Sequence, residues 1–207
     1  MAQAISDKPI SQPPPRAPIT LDEYMALGSD AYYEVIDGEL VEMAPQHIDS
    51  NFLATSIFRS LDSYVMANKL GQALMEAVFA LEVEEPARWL KGSLVPDVAF
   101  ISKAMLKEHY LQHTKESAFR VAPDLAFEVL SPTDSFTAIM RKVKRYLQYG
   151  VHLVIVVDPV NCAVHCYTPD NPDGRVLGED DTLTGAPLLP GWSIPVREIL
   201  DAKPDLD

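Results

Sequence analysis

Apolar positions recur along this chain in two rhythms. From Ile48 to about Lys69, Phe52, Leu53, Ile57, Leu61, Tyr64 and Val65 fall every three or four residues, which predicts a long amphipathic helix. Ser135 to Tyr149 carries the clearest helical stripe, formed by Phe136, Ile139, Met140, Val143, Tyr146 and Leu147, with Gly150 as its stop. A shorter helix is predicted over "LDEYMALG", where Thr20 and Glu23 have capping-box spacing and Gly28 ends the run. Segment 103–120 is charged and predicts a short helix plus a loop. The second rhythm is strand-like. "AYYEVIDGELVEMAP" reads as strand, tight Asp37-Gly38 turn, strand. "GQALMEAVFALEV", "LVPDVAFIS" and "LAFEVLS" read as further strands. "VHLVIVVDP" is apolar throughout, as expected for a strand covered on both faces, and "CAVHCYTP" should pair with it through a turn at Pro159-Val160-Asn161. The tail, with "LTGAPLLPGWSIPVREIL", predicts short strands, turns and one terminal helical turn. Without repeats, this order predicts a single α/β domain over residues 19–207 with a mixed central β-sheet flanked by helices. Residues 1–18, rich in proline, are expected to be a flexible arm.

Composition narrows the classes. The chain has 207 residues, 47% hydrophobic and 23% charged, an ordinary globular balance. No apolar run is long enough for a membrane span, and the first residues lack the apolar core of a signal peptide. The expected compartment is the cytoplasm. Cys162 and Cys166, placed on one predicted strand, would lie about 13 Å apart. A disulfide needs Cα atoms about 4.4–6.8 Å apart, so both are expected to be free thiols. The net charge of −13 argues against a uniformly basic coat for nucleic acid, but leaves room for a local basic patch.

Two carboxylates interrupt the apolar runs. Asp97 stands among Val95, Val98, Ala99 and Phe100, and Glu128 among Phe127, Val129 and Leu130. Read as mid-strand residues, each projects from a sheet face, where a lone buried carboxylate is costly. Two brought together repel unless a cation lies between them. Hard Mg²⁺ takes one or two carboxylates plus water and phosphate oxygens, so the pattern hints at a hard-metal site. A lysine beside it would stabilise charge developing on a phosphodiester. Lys142 fits: on a helical wheel it lies roughly 100° from the centre of the apolar stripe. Lys144 falls on the opposite edge, and Arg141 and Arg145 are expected to face away.

The motifs "YEVIDGELVEMAP" with His47 following, "VPDVAFIS", "PDLAFEVLSPTD", "RKVKRYLQYGV" and "VIVVDP" together resemble the Uma2-like endonuclease family. That family lies within the PD-(D/E)XK restriction-endonuclease-like superfamily, and the resemblance runs from about Thr20 to Leu200. It implies a restriction-endonuclease-like fold and metal-dependent cleavage of DNA with Mg²⁺ or Mn²⁺. Asp97 matches the aspartate of the "PD" motif, Glu128 the acidic residue of (D/E)XK, Glu34 an upstream acidic member of the metal shell, and Lys142 the lysine. One departure stands out: Leu130 occupies the position where E-x-K would have lysine.

Blander readings accompany each residue. Asp97 would cap backbone amides after Pro96, Glu128 would pair with Arg120, and Lys142 would be a solvated helix lysine. His47 would simply start its helix, and Asp158 would shape a turn. His109 and His113, four residues apart, suit a solvated helix better than zinc, with no third ligand evident. Arg141, Lys144, Arg145, Lys103, Lys107, Lys115 and Arg120 are candidates to meet a nucleic-acid backbone. Two other functions compete with the endonuclease: a noncatalytic binding or regulatory protein that keeps the fold, and a structural homo-oligomer whose carboxylates pair across an interface. A homodimer also suits the endonuclease, since two sites about a two-fold axis match two strands.

Overall fold

The computed structural model describes residues 18–28, 33–43, 47–113, 116–132 and 134–202; the predicted arm lies almost wholly outside these residues. In chain order the elements are β1 (Ile19–Thr20), α1 (Leu21–Ala26), β2 (Tyr33–Ile36), β3 (Glu39–Glu42), α2 (Ile48–Asn68), β4 (Gly71–Met75), β5 (Phe79–Glu84), β6 (Trp89–Leu94) and β7 (Val98–Ser102). They continue with α3 (Lys103–Gln112), β8 (Leu125–Val129), α4 (Phe136–Gln148), β9 (Leu153–Asp158), β10 (Ala163–Thr168), β11 (Asn171–Leu177), β12 (Thr182–Gly185), β13 (Leu189–Pro195) and α5 (Val196–Leu200).

Six strands form the central sheet in the order β11-β10-β9-β8-β7-β4. Only β8 and β9 run parallel, joined by the crossover through α4; their neighbours are antiparallel, so the sheet is mixed as expected. All five residues of β8 are buried, because both faces of the sheet are covered. On one face Leu53, Ile57, Leu61 and Val65 of α2 pack against Phe127, Val129 and Ile155, together with Trp192 and Ile194 of β13. On the other, Ile139, Val143 and Tyr146 of α4 pack against Ala99, Ala126, Val154 and Val156. A small sheet, β1-β6-β5, and the β2–β3 hairpin complete the second side.

Local chemistry sets the element ends. Thr20 and Glu23 form the predicted capping box, with Glu23 N–H donating to Thr20 Oγ1 at 3.2 Å and Thr20 N–H donating to Glu23 Oε2 at 2.9 Å. The β2–β3 turn has positive φ at both Asp37 (51°) and Gly38 (82°), the geometry that favours Asp-Gly in a two-residue hairpin. Several expectations are corrected. "GQALMEAVFALEV" is two strands in two different sheets, β4 and β5, and β6 is an additional strand before the "PD" motif. Asp97 is not mid-strand; it sits in the bend just before β7, because Pro96 brings no N–H to a ladder. Cys162 lies exposed in the turn before β10 rather than on the strand, and both cysteines are free. Phe136, expected in the buried stripe of α4, is 71% exposed. Among the described residues no helix is long and apolar enough to cross a membrane.

Candidate active site

Four chain segments meet beneath α4. Val98 pairs with Phe127 in the β7–β8 ladder, so Asp97, one residue earlier, stands opposite Glu128. The carboxylate of Asp97 accepts the backbone N–H of Val129 at 2.6 Å through Oδ2. Glu128 is buried on the face that α4 covers. One helical turn beyond Ile139, Lys142 points its ammonium back to the sheet. Its Nζ lies 2.8 Å from Glu128 Oε2 and 3.3 Å from Glu34 Oε1, and donates to the carbonyl of Val95 at 3.5 Å. Glu34, on β2 and only 1% exposed, also accepts Val95 N–H at 2.9 Å. Leu130 leaves the E-x-K position without a lysine, and α4 supplies the cation from the helix instead.

Two further residues belong to this cluster. Arg145 does not face away. Its Nη1 lies 3.3 Å from Glu34 Oε2, while Nη2 donates to the carbonyls of Val35 (3.1 Å) and Ser93 (2.7 Å). The Tyr146 hydroxyl donates to the other oxygen of Glu128, Oε1. Positions 142, 145 and 146 have the i, i+3, i+4 spacing of one helix face, which was the available signal. The long stem of Arg145 lets its guanidinium reach inward from the edge of the apolar stripe.

The electrostatics follow from burial. Desolvation pushes the Glu128 carboxyl up to about 8, against the pull of Lys142 and with added repulsion from Asp97 and Glu34. Burial also disfavours the Lys142 ammonium, but Glu128, Glu34 and Asp97 outweigh it and hold the group protonated well above the usual lysine range. Burial, then the facing Glu128 and Glu34, likewise raise the Tyr146 hydroxyl. Two cations, Lys142 and Arg145, thus face three carboxylates, Glu34, Asp97 and Glu128.

Carboxylate oxygens are the right donors for a hard divalent ion, which takes one or two such groups and fills the rest with water and phosphate. Asp97 and Glu128, side by side, supply such groups, although Lys142 and Tyr146 engage both oxygens of Glu128 and Val129 N–H engages Oδ2 of Asp97. Glu34 has both oxygens engaged by Val95, Lys142 and Arg145. Among the described residues no three His, Cys, Asp or Glu side chains gather closely enough to hold a metal ion together.

The other candidates lie elsewhere. His47 caps α2, accepting Asp49 N–H at 3.4 Å. Asp158 accepts both the backbone and side-chain N–H of Asn161, shaping the turn after β9. Arg120 pairs with Glu116 at 3.4 Å, not with Glu128. Lys103, Lys107, Arg141 and Lys144 are exposed, and Lys115 lies outside the described residues. His109 is buried rather than solvated, accepting Arg120 N–H at 3.4 Å and packing on Phe119. Burial holds its imidazole below the usual histidine range, with His113 and Arg120 adding and Glu116 opposing. The unfolded chain therefore binds this proton more readily than the fold. The stability involved is complete above about pH 6.5 and is lost as pH falls through the lowered value. Melting temperatures at about pH 7.5 and about pH 5 should show an acid loss that His109→Gln reduces. An equal loss in both proteins would contradict this role.

The family model Uma2, described as "Putative restriction endonuclease", matches residues 21–197. The chain belongs to the Uma2 family. Uma2 membership supports nuclease function and, with it, hydrolytic chemistry on nucleic acid. A solved structure described as a "putative nuclease belonging to DUF820 from Anabaena variabilis ATCC 29413" superposes with a TM-score of 0.72. It covers 88% of this chain and 98% of that one at 20% identity, a likeness of fold. No curated protein matches the chain.

Proposed function

We propose that this Uma2 protein is a cytoplasmic, Mg²⁺- or Mn²⁺-dependent endonuclease of the PD-(D/E)XK type that hydrolyses phosphodiester bonds in DNA. The observation that carries this reading is Lys142 reaching Glu128 at 2.8 Å, on the spot where Asp97 also stands, although Leu130 replaces the strand lysine. Asp97 and Glu128 would hold the metal, which when bound supplies a polarised phosphate and an activated water. Lys142 places its positive charge against the phosphate oxygens as the water oxygen bonds to phosphorus and the bond to the leaving oxygen breaks. Glu34 and Arg145 hold Lys142 in place, and Tyr146 fixes the orientation of Glu128. The exposed Lys103, Lys107, Arg141 and Lys144 would meet backbone phosphates, and a homodimer would bring two such sites to two strands.

A noncatalytic binding or regulatory role is favoured by one observation: Lys142 already lies between two carboxylates, in a chain of net charge −13. The structural homo-oligomer loses its motive, since Glu34 and Glu128 find their partners within the chain. Calorimetric titration with Mg²⁺ and Mn²⁺, run beside nicking of supercoiled plasmid with metal and with EDTA, decides between the first two. We expect metal binding and metal-dependent nicking, both lost in Asp97→Asn. Binding without nicking would favour the noncatalytic role. Unchanged binding and nicking in the variant would leave Asp97 as no more than a cap for Val129.

A further inference from the structure

The cover provided by α4 is incomplete. Its first turn stops short of β10 and β11, leaving a groove of about 310 Å³ lined by Leu130, Phe136, Ile139, His165, Tyr167 and Val176. The register ties this groove to the carboxylates. Val176 pairs with His165, His165 with Val156, and Val156 with Glu128. Side chains paired in adjacent strands share a face. One continuous row therefore runs from Val176 to Glu128, and Asp97 extends it. Two interstrand spacings separate His165 from Glu128, roughly 10 Å. A stacked single strand spans that in about three nucleotides at 3.4 Å each.

The groove's walls suit a flat ring. The His165 and Tyr167 rings stand nearly parallel on β10, at 8°, with centroids 6.4 Å apart; Tyr167, 4% exposed, forms the buried floor, and the half-buried His165 is the more open ring of the two. Phe136 is 71% exposed at the mouth, and Val176 is 59% exposed on the edge strand. The turn residues Asp158 and Asn161 give the rim a polar edge. The volume lies at the small end of small-molecule sites, which span roughly 300–1,000 Å³.

We propose that this groove binds an unpaired nucleobase of the substrate strand, a few nucleotides from the bond that is cut. Apolar walls and aromatic faces take a base by stacking, whatever its identity. A base inside a duplex cannot offer its faces, so the preferred substrate is single-stranded or locally unpaired at that nucleotide. The inference rests on the nuclease reading above, since it takes the phosphate to lie at Lys142. It adds a subsite on β10 and β11, outside the charged cluster.

The test uses the full-length protein, fluorescein-labelled single-stranded DNA 12-mers, EDTA to prevent cleavage, and anisotropy as readout. An abasic nucleotide is stepped along the strand. For wild type, one position should weaken binding roughly tenfold when its base is removed. Phe136→Ala should bind the intact strand about as weakly and be indifferent to that abasic position. Phe136 is exposed, so the variant should fold, and circular dichroism checks that it does. A flat abasic scan in a wild-type protein that binds and nicks DNA would overturn the base subsite alone. An abasic effect that survives in Phe136→Ala would also overturn it. A change in sedimentation of Phe136→Ala with unchanged DNA affinity would overturn it too, and assign the groove to a second copy of the chain. If wild type neither binds any oligonucleotide nor nicks plasmid, the nuclease reading fails and this inference fails with it.

Discussion

Lys142→Met should lower metal-dependent nicking by about 100- to 1,000-fold, the usual loss when one preorganised charge is removed from a reacting centre. Methionine keeps most of the stem that packs against α4's neighbours, so the change isolates the ammonium. Glu128 and Glu34 would lose the cation at 2.8 and 3.3 Å, and Glu128, already pushed up to about 8, would take up a proton more readily still. Removing one partner from a buried ion pair costs about 3–5 kcal/mol, and protonation recovers part of it. The expected result is a folded, less stable and nearly inactive protein. Nicking rates and thermal melts measured together would check both halves. Nicking within tenfold of wild type would return Lys142 to the status of a buried structural lysine.

Arg145→Ala should be among the most destabilising single changes in the chain. The guanidinium holds Glu34, which is 1% exposed, and two backbone carbonyls, Val35 and Ser93. Alanine would leave a buried carboxylate short of a partner and two acceptors without donors. A loss of about 3–5 kcal/mol is expected. For a chain of this size that corresponds to a fall in Tm of roughly 6–20 °C. Arg145→Lys should recover little, because one ammonium cannot serve a carboxylate and two carbonyls in the planar geometry that arginine offers. In a double-mutant cycle with Glu34→Gln the two losses should be strongly non-additive. Simple additivity would mean that Arg145 and Glu34 act separately.

Much of this site was legible in the sequence because charge within an apolar run is conspicuous. Glu128 amid "LAFEVL", Asp97 after Pro96, and the position of Lys142 at the edge of a stripe all predicted convergence, and Lys142 does meet Glu128. Most strand and helix identities followed from period together with cap and turn signals, β6 excepted, and the mixed sheet from their order. What escaped was set by long-range packing. Period cannot reveal that β4 and β5 belong to different sheets, since the break at Glu76 to Val78 looks like more strand. A helical wheel puts Arg145 outward because it treats side chains as points, whereas a guanidinium reaches well past its own sector. Phe136 shows the opposite: it fits the stripe, but α4's first turn overhangs the groove rather than the core. His109 showed no sequence sign of burial, because its cover comes from the segment around Phe119.

The pairing of Glu34 with Arg145 joins residues 111 positions apart, and this sets a timetable during synthesis. At roughly 5–20 residues per second, a ribosome needs roughly 6–22 s to travel from one to the other. Through that interval the emerging chain carries Glu34 and then Asp97 without the helix that completes their cluster. A nascent or prematurely terminated chain lacking α4 therefore leaves Glu34, Asp97 and Glu128 without Lys142, Arg145 and Tyr146, and on the nuclease reading it stays inactive until most of it has been made.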